Sequence, residues 1–238
     1  MKRVLYFTVF TLFLASCTEP EKHNLTISGT IGGLKKGTLY LEKIKDTTVV
    51  TLDSIAVKGT PEFTFSTTID EPEMLYLYLK KTDNVEQYQR IDFFAEPGVM
   101  TINTSLKNFE TDAVITGSKN QQKLEEHYKL LNRYNDRLLD IIKANFEAQQ
   151  QNNNKLADSL KKQERSINRA KYLATVNFAI KNSDMAIAPY LALNQIYDVN
   201  IKYLDTIYTS LTPEIKTSKY GKLLDELRTA RRDTVSIQ

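Results

Sequence analysis

The chain has 238 residues, of which 41% are hydrophobic and 26% are charged, and its formal net charge is +3. This near balance of charge gives no reason to expect nucleic acid as a partner. The single cysteine, Cys17, excludes a disulfide, a CxxC redox centre and a cysteine metal site within these 238 residues.

Residues 1–16 have the pattern of a secretory signal peptide. Lys2 and Arg3 form a basic start, and residues 4–14 follow as an apolar run without charge. Eleven residues make about 16 Å of helix, whereas the hydrocarbon core of a bilayer is about 30 Å thick. The segment is therefore expected to be removed and not to remain as a transmembrane helix.

Cys17 closes this segment in the order Leu14-Ala15-Ser16-Cys17. The order resembles the lipobox of bacterial lipoproteins, in which the cysteine thiol is joined to a diacylglycerol and the chain is cut just before it. The resemblance implies that Cys17 becomes the lipidated first residue, that residues 17–23 form a tether, and that the protein is anchored in the bacterial cell envelope. The anchored protein would lie on the periplasmic or the outer-membrane face of the envelope. The alternative is an ordinary signal peptide with a chance cysteine near its end.

Residues 24–117 alternate apolar and polar side chains in short runs, which is typical of strands. The runs are NLTISGTI, GTLYLEKI, TTVVTLDSIAV, EFTFSTTI, MLYLYLK, YQRIDFFA, VMTINTSL and DAVITG. Eight short strands with turn residues between them predict an antiparallel β-sandwich.

Residues 118–232 have the spacing of helices. Ser118 is expected to cap one long helix, and the polar run QQQNNNK offers a turn before a second one. The two helices would form an antiparallel hairpin. The predicted fold class is therefore α+β, an N-terminal antiparallel sandwich followed by an all-helical region.

Shorter helices are predicted over residues 185–198 and 201–211, and a further helical stretch over residues 212–232. Pro189 would kink the first or lie in its opening turn. Thr212 and Pro213 form a plausible cap and first-turn pair. Residues 233–238 are expected to be a frayed tail.

The strand region resembles the uncharacterised β-sandwich module at the front of many bacterial lipoprotein thiol-disulfide oxidoreductases. The residues that carry the resemblance are LTISGTIGGLKKGTLYLEKI, FTFSTTIDEPEMLYLYL, FFAEPGVMTIN and ITGSKNQ. SDMAIAPYLALNQI and LTPEIKTSKYGKLL are similar to the helical segment that leads into the thioredoxin-fold domain of those proteins. These 238 residues contain no Trp-Cys-x-x-Cys site, so no catalytic residue carries over.

No other motif indicates catalysis, a cofactor or a metal. His127 stands beside Glu125 and Glu126, but adjacent helical residues point about 100° apart and cannot form one ligand face. This trio is interpreted as a solvated helix face. The glycines of SGTIGGLKKG fit a hairpin turn better than a phosphate cradle.

Two residue patterns remain as candidate sites. Tyr76 and Tyr78 share one face of a predicted strand, where they either pack under the helices or meet a ligand.

The second pattern is aspartate followed by Ser or Thr, which recurs and resembles a bacterial O-glycosylation site. The possible glycan acceptors are Thr47, Ser54, Ser159, Thr206 and Thr234. The competing interpretation is that such pairs are common at turns and helix starts.

These observations favour a non-catalytic accessory lipoprotein that binds another envelope protein, which the resemblance suggests is a separate thioredoxin-fold protein. The alternative is an extracytoplasmic module that binds a glycan or small ligand. Neither function requires a cofactor.

The lipid anchor is testable with Cys17→Ala. We expect wild-type protein in the membrane fraction and the variant in the soluble envelope fraction or retained with its leader, because the variant has no thiol to accept the lipid. Fractionation with immunoblotting measures the distribution. Mass spectrometry of the mature N-terminus checks the lipid, and an unmodified wild-type Cys17 would contradict the assignment.

Overall fold

The structure is a computed structural model that describes residues 23–81 and 89–235, with side chains as far as residue 232. The expected leader and Cys17 lie outside the described residues. Eight strands precede six helices in the described parts of the chain. The strands are β1 Leu25–Gly32, β2 Lys36–Lys45, β3 Thr48–Lys58, β4 Glu62–Thr67, β5 Glu73–Lys81, β6 Gln89–Ala95, β7 Gly98–Ser105 and β8 Val114–Thr116.

The strands form two four-stranded sheets. The first sheet has the order β4-β1-β7-β8 and the second the order β3-β2-β5-β6. All pairs are antiparallel except β1 and β7, which run parallel from Leu25 opposite Gly98 to Gly32 opposite Ser105. The predicted antiparallel sandwich therefore holds for every pair of described strands except this one. A parallel neighbour needs a long crossover, and the chain from β2 to β6 provides it.

The inward faces of both sheets meet in one apolar core. Leu75, Leu77 and Leu79 of β5 are fully buried, as the alternation of this strand predicts. They lie in the same cluster as Ile27 of β1 and Met100 of β7, which belong to the facing sheet. The predicted sandwich is confirmed.

The helical region also agrees with prediction. The helices are α1 Lys119–Gln150, α2 Asn154–Lys181, α3 Ile187–Gln195, α4 Ile201–Ser210, α5 Pro213–Thr217 and α6 Lys219–Val235. The long α1 and α2 pack together as the predicted hairpin. The last helix continues to Val235, so it includes the first residues of the segment expected to fray.

The expected capping residues are in place. The Ser118 side chain accepts a hydrogen bond from the Gln121 N–H at the start of α1. The Thr212 side chain accepts one from the Ile215 N–H, and Pro213 occupies the first turn of α5. Pro189 lies in the opening turn of α3, where its missing N–H costs no helical hydrogen bond.

The turn into α1 requires glycine. Gly117 has a φ of 97°, and a Cβ at this position would lie 2.2 Å from the carbonyl oxygen of Val99. Any other residue would both strain the backbone and displace β7. The start of α1 is thereby held against the sandwich.

A second apolar cluster joins the helices to the outer face of the second sheet. Met74 and Phe94 point away from the sandwich core and pack against Leu124, Leu191 and Tyr220. We call this set the junction cluster. The Phe94 ring lies 5.3 Å from the ring of Tyr190 and 5.8 Å from that of Tyr220, both in edge-on contact.

Buried polar contacts fix the position of this cluster. The Met74 N–H donates to the Tyr220 hydroxyl over 3.0 Å, and the Phe94 N–H donates to Gln121 Oε1 over 2.9 Å. Asn120 Oδ1 accepts from the Ile187 N–H at the start of α3 over 2.8 Å. These bonds satisfy backbone groups that would otherwise be buried without a partner.

An ion pair on the same side of the sandwich supports the junction. The Glu73 carboxylate is 5% exposed and pairs with both Lys43 of β2 and Lys219 of α6. The Lys219 N–H also donates to Glu71 over 2.8 Å. The helices and the sandwich are thus joined by hydrogen bonds and charge as well as by apolar packing.

Across residues 23–81 and 89–235, none of the helices combines the length and the apolar character needed to cross a bilayer.

The junction can be tested with Tyr220→Phe. The substitution keeps the ring but leaves the buried Met74 N–H without its acceptor. We expect the free energy of unfolding to fall by about 1–3 kcal/mol. Urea denaturation followed by circular dichroism measures the change. Tyr203→Phe is the matched control, because the Tyr203 hydroxyl bonds to none of the described residues. Equal stability of the two variants would contradict the role of the hydroxyl.

Candidate interaction surface

The α1–α2 hairpin has its own apolar contact face. Ile141 and Ala148 of α1 pack with Ala157, Leu160 and Ile167 of α2 in a separate buried cluster. This cluster contains no residue of the sandwich. The far part of the hairpin is therefore held by helix-to-helix packing. There α1 keeps open faces, whereas α2 also contacts α3 and α4 nearer the sandwich.

One of these open faces on α1 is apolar. Leu139 is 67% exposed, Ile142 52%, Phe146 62% and Tyr128 45%. At about 100° per residue these four side chains lie on one side of the helix. Asn132 and Asn135 occupy the turns between them. We call this set the α1 stripe: Tyr128, Asn132, Asn135, Leu139, Ile142 and Phe146.

The α1 stripe contains no charged residue, although charged residues run beside it. Along one edge lie exposed residues of both signs, namely Lys129, Arg133, Asp136, Asp140, Lys143 and Glu147. Along the other edge Asn135 Oδ1 accepts a hydrogen bond from Lys171 of α2 over 2.7 Å. An uncharged centre with a charged rim is the composition of a protein interface.

The length and spacing of the stripe also suit an interface. From Tyr128 to Phe146 the helix rises about 27 Å at about 1.5 Å per residue. Leu139, Ile142 and Phe146 follow one another at intervals of three and four residues, so their side chains are neighbours on the helix surface. Single exposed apolar residues are common, whereas a continuous stripe marks a binding surface.

Tyr76 and Tyr78 lie on the outer face of the second sheet, opposite the buried leucines of β5. Tyr76 is half-buried and packs against the junction cluster, and the Arg90 guanidinium lies 4.6 Å from its ring centre. Tyr78 is also half-buried, and its ring stacks on Tyr40 of β2 with centres 6.0 Å apart. Tyr76 therefore lies next to the helices, whereas Tyr78 belongs to a cross-strand aromatic pair.

His127 is not on a solvated helix face, and that interpretation was wrong. Its side chain is 0% exposed, its Nε2 lies 3.0 Å from the Thr175 hydroxyl, and its ring meets Phe178 edge-on at 5.3 Å. His127 lies between Leu124 and Leu131 at helical spacing, so it faces α2 with them. This spacing is the signal in the sequence that would have placed it correctly.

Burial of this imidazole changes its titration. Burial, and to a smaller extent the nearby Lys171 charge, lower the pKa of His127 from 6.5 to about 4. His127 is therefore neutral at physiological pH and acts as a packing group.

In the described parts of the chain there is no cluster of three or more His, Cys, Asp or Glu residues suited to hold a metal ion.

The candidate glycan acceptors are dispersed over the surface. Thr47 lies in the β2–β3 turn, Ser54 in β3, Ser159 in α2 and Thr206 in α4, and all four are exposed. The Thr206 hydroxyl donates to the Lys202 carbonyl over 2.7 Å. Thr234 belongs to α6, but its side chain lies outside the described ones. Cys17 lies outside the described residues altogether.

Sequence reasoning missed the α1 stripe because Tyr128 and Ile142 share helical spacing with Leu124, Leu131 and Leu138. The spacing of these five residues predicts a single buried face. Only the tertiary structure shows that Leu124 and Leu131 are covered while Tyr128 and Ile142 are not.

The pKa of His127 predicts how stability depends on pH. The unfolded chain binds a proton on this group at about pH 6.5 and the folded chain only at about pH 4. This contribution to stability is therefore complete above pH 6.5 and is lost as the pH falls towards 4, by about 3 kcal/mol in all. We expect His127→Gln to reduce this loss, since glutamine can meet Thr175 and does not titrate.

Urea denaturation of both proteins at pH 7, 5.5 and 4.5 measures the difference. The stability of the wild type should approach or fall below that of His127→Gln as the pH is lowered. A constant difference between the two proteins over this range would contradict the assignment.

The comparisons with known proteins concern the sandwich. Residues 25–124 match the family model described as "Domain of unknown function (DUF4369)". The match covers all eight strands and the first turns of α1, and the rest of the helical region lies outside it. No curated protein matches the chain. The sandwich with the start of α1 is therefore similar to a family whose description names no function.

Proposed function

We propose that this protein is a non-catalytic, lipid-anchored interaction module of the bacterial cell envelope that binds another envelope protein through the α1 stripe. The observation that carries the proposal is the stripe itself, with three large aliphatic or aromatic side chains more than half exposed in succession on an otherwise well-packed hairpin. Contact with a partner would remove this surface from water.

The architecture suits such a role. The junction cluster joins the helices to the sandwich, and the hairpin has a separate core that holds α1 against α2. A helix presented in this way offers side chains at intervals of three and four residues to a groove or helix pair on a partner. The charged residues beside the stripe would set the orientation of the partner more than its affinity.

The perturbed titratable groups also support a role without catalysis. His127 is enclosed between α1 and α2, and Tyr190 and Tyr220 lie in the junction cluster. Burial raises the pKa of Tyr190 and of Tyr220 above the ordinary value, so both hydroxyls stay protonated. Tyr220 uses its oxygen to accept a backbone hydrogen bond. Packing accounts for the shifted pKa values of these three groups, and none of the three has a pKa suited to proton transfer near neutral pH.

The resemblance to the front part of lipoprotein oxidoreductases suggests the class of partner. In those proteins a similar sandwich and helical segment precede a thioredoxin-fold domain, so a separate thioredoxin-fold protein is the partner we expect. The lipid on Cys17 would keep the interaction near the membrane, because the six residues that follow it, 18–23, span at most about 20 Å.

The alternative is a glycan-binding or small-ligand module. For a glycan it would use the Tyr40–Tyr78 pair, since both rings are half-exposed on the outer face of the second sheet. This support is weaker than that of the stripe, because the two rings stack on each other with an interplanar angle of 29° and each covers part of the other.

The proposal predicts that partner capture depends on the stripe. We would cross-link the native lipoprotein in intact cells and identify captured proteins by mass spectrometry. The variant Leu139→Gln with Phe146→Gln should reduce capture of the specific partner at least tenfold, because it removes the two most exposed apolar side chains of the stripe. The substituted side chains are exposed, so folding should be unaffected.

The matched control is Tyr197→Gln with Leu223→Gln, which removes two exposed apolar groups elsewhere in the helical region. Capture should remain at the wild-type level in the control. Equal capture by wild type and the stripe variant would contradict the proposal. If only a second copy of this chain is captured through the stripe, the stripe is a surface for self-association and not for an envelope partner.

A further inference from the structure

A groove of about 340 Å³ lies between α2 and the segment that leads into α4. Its floor is made by Val176 and Val199, which are 4% and 8% exposed, and by the half-buried rings of Tyr172 and Tyr203. The volume is within the range of small-molecule sites, about 300–1,000 Å³. The floor would accept an apolar or aromatic body.

Two guanidinium groups stand at the rim of this groove. Arg165 and Arg169 are exposed, lie one turn apart on α2, and form no ion pair with any described residue. Like charges at this spacing destabilise a helix by a few tenths of a kcal/mol. α2 carries seven basic and two acidic residues, so the pair also lies on the most basic helix of a nearly neutral chain. An anion bound between them would relieve the repulsion.

The far wall of the groove is held in place without a ligand. The Arg231 guanidinium donates to the carbonyl oxygens of Tyr197 and Val199 over 2.6 and 2.7 Å. These bonds fix the loop between α3 and α4, which supplies the wall. A groove that is already formed loses less free energy to ordering when a ligand binds.

Charge decides the class of ligand. Asp198 also lines the groove, so the charged residues of the lining, Arg165, Arg169 and Asp198, carry a formal charge of +1. This suits a monoanion better than a doubly charged phosphate. A planar carboxylate can also receive two parallel hydrogen bonds from one guanidinium.

We propose that this groove binds a small amphipathic carboxylate, with its carboxylate between Arg165 and Arg169 and its apolar body over Tyr172, Val176 and Val199. The site is separate from the α1 stripe. If the groove binds no carboxylate, the proposed protein interaction is unaffected.

The test uses the full chain in lipid nanodiscs, with 4-phenylbutyrate as the probe and isothermal titration calorimetry as the measurement. Empty nanodiscs provide the correction for partitioning into lipid. We expect saturable binding to one site. The uncharged analogue 4-phenylbutanamide should bind at least tenfold more weakly, because it lacks the charge that the two guanidinium groups recognise.

The variant Arg165→Ala with Arg169→Ala should weaken 4-phenylbutyrate binding at least tenfold. Arg133→Ala with Arg137→Ala on α1 removes the same charge elsewhere and should leave binding within twofold of the wild type. Circular dichroism checks that all proteins are folded. Absence of saturable binding to the wild type, equal affinity of both variants, or equal affinity for the amide would each overturn the proposal.

Discussion

The covering of Met74 and Phe94 on the outer face of the second sheet is the contact on which the rest of the structure depends. This face would otherwise expose apolar side chains and unpaired backbone groups at a sheet edge. Tyr190, Tyr220 and Leu124 supply the apolar cover, while Gln121 and Tyr220 supply the acceptors. Because these residues come from α1, α3 and α6, one contact positions three helices on the sandwich.

This arrangement leaves the far part of the hairpin to stabilise itself. Ile141 and Leu160 belong to a cluster formed only by α1 and α2. Packing of two helices buries one face of each and leaves the others exposed. On α1 the exposed surface divides into a charged side and the uncharged stripe. The proposed partner would cover this stripe.

The two proposed surfaces use different chemistry. The α1 stripe is long, convex and uncharged, which suits another protein. The groove beside α2 is concave, has an apolar floor and carries two guanidinium groups that pair with no acidic group among the described residues. The groove wall depends on Arg231 and the stripe depends on the hairpin core. Neither surface needs the other to form, so an envelope partner and a small carboxylate could be bound by the same molecule through independent contacts.

The sequence by itself determined the elements and their order. Alternation placed Leu75, Leu77 and Leu79 on one face of a strand, and Ser118 and Thr212 marked helix starts, because these signals depend only on backbone geometry and neighbouring residues. Tertiary structure alone decided that β1 pairs with β7 in parallel and that Tyr128 and Ile142 are left exposed. Each of these depends on which distant segment packs against a given face, and periodicity within one segment carries no information about that choice.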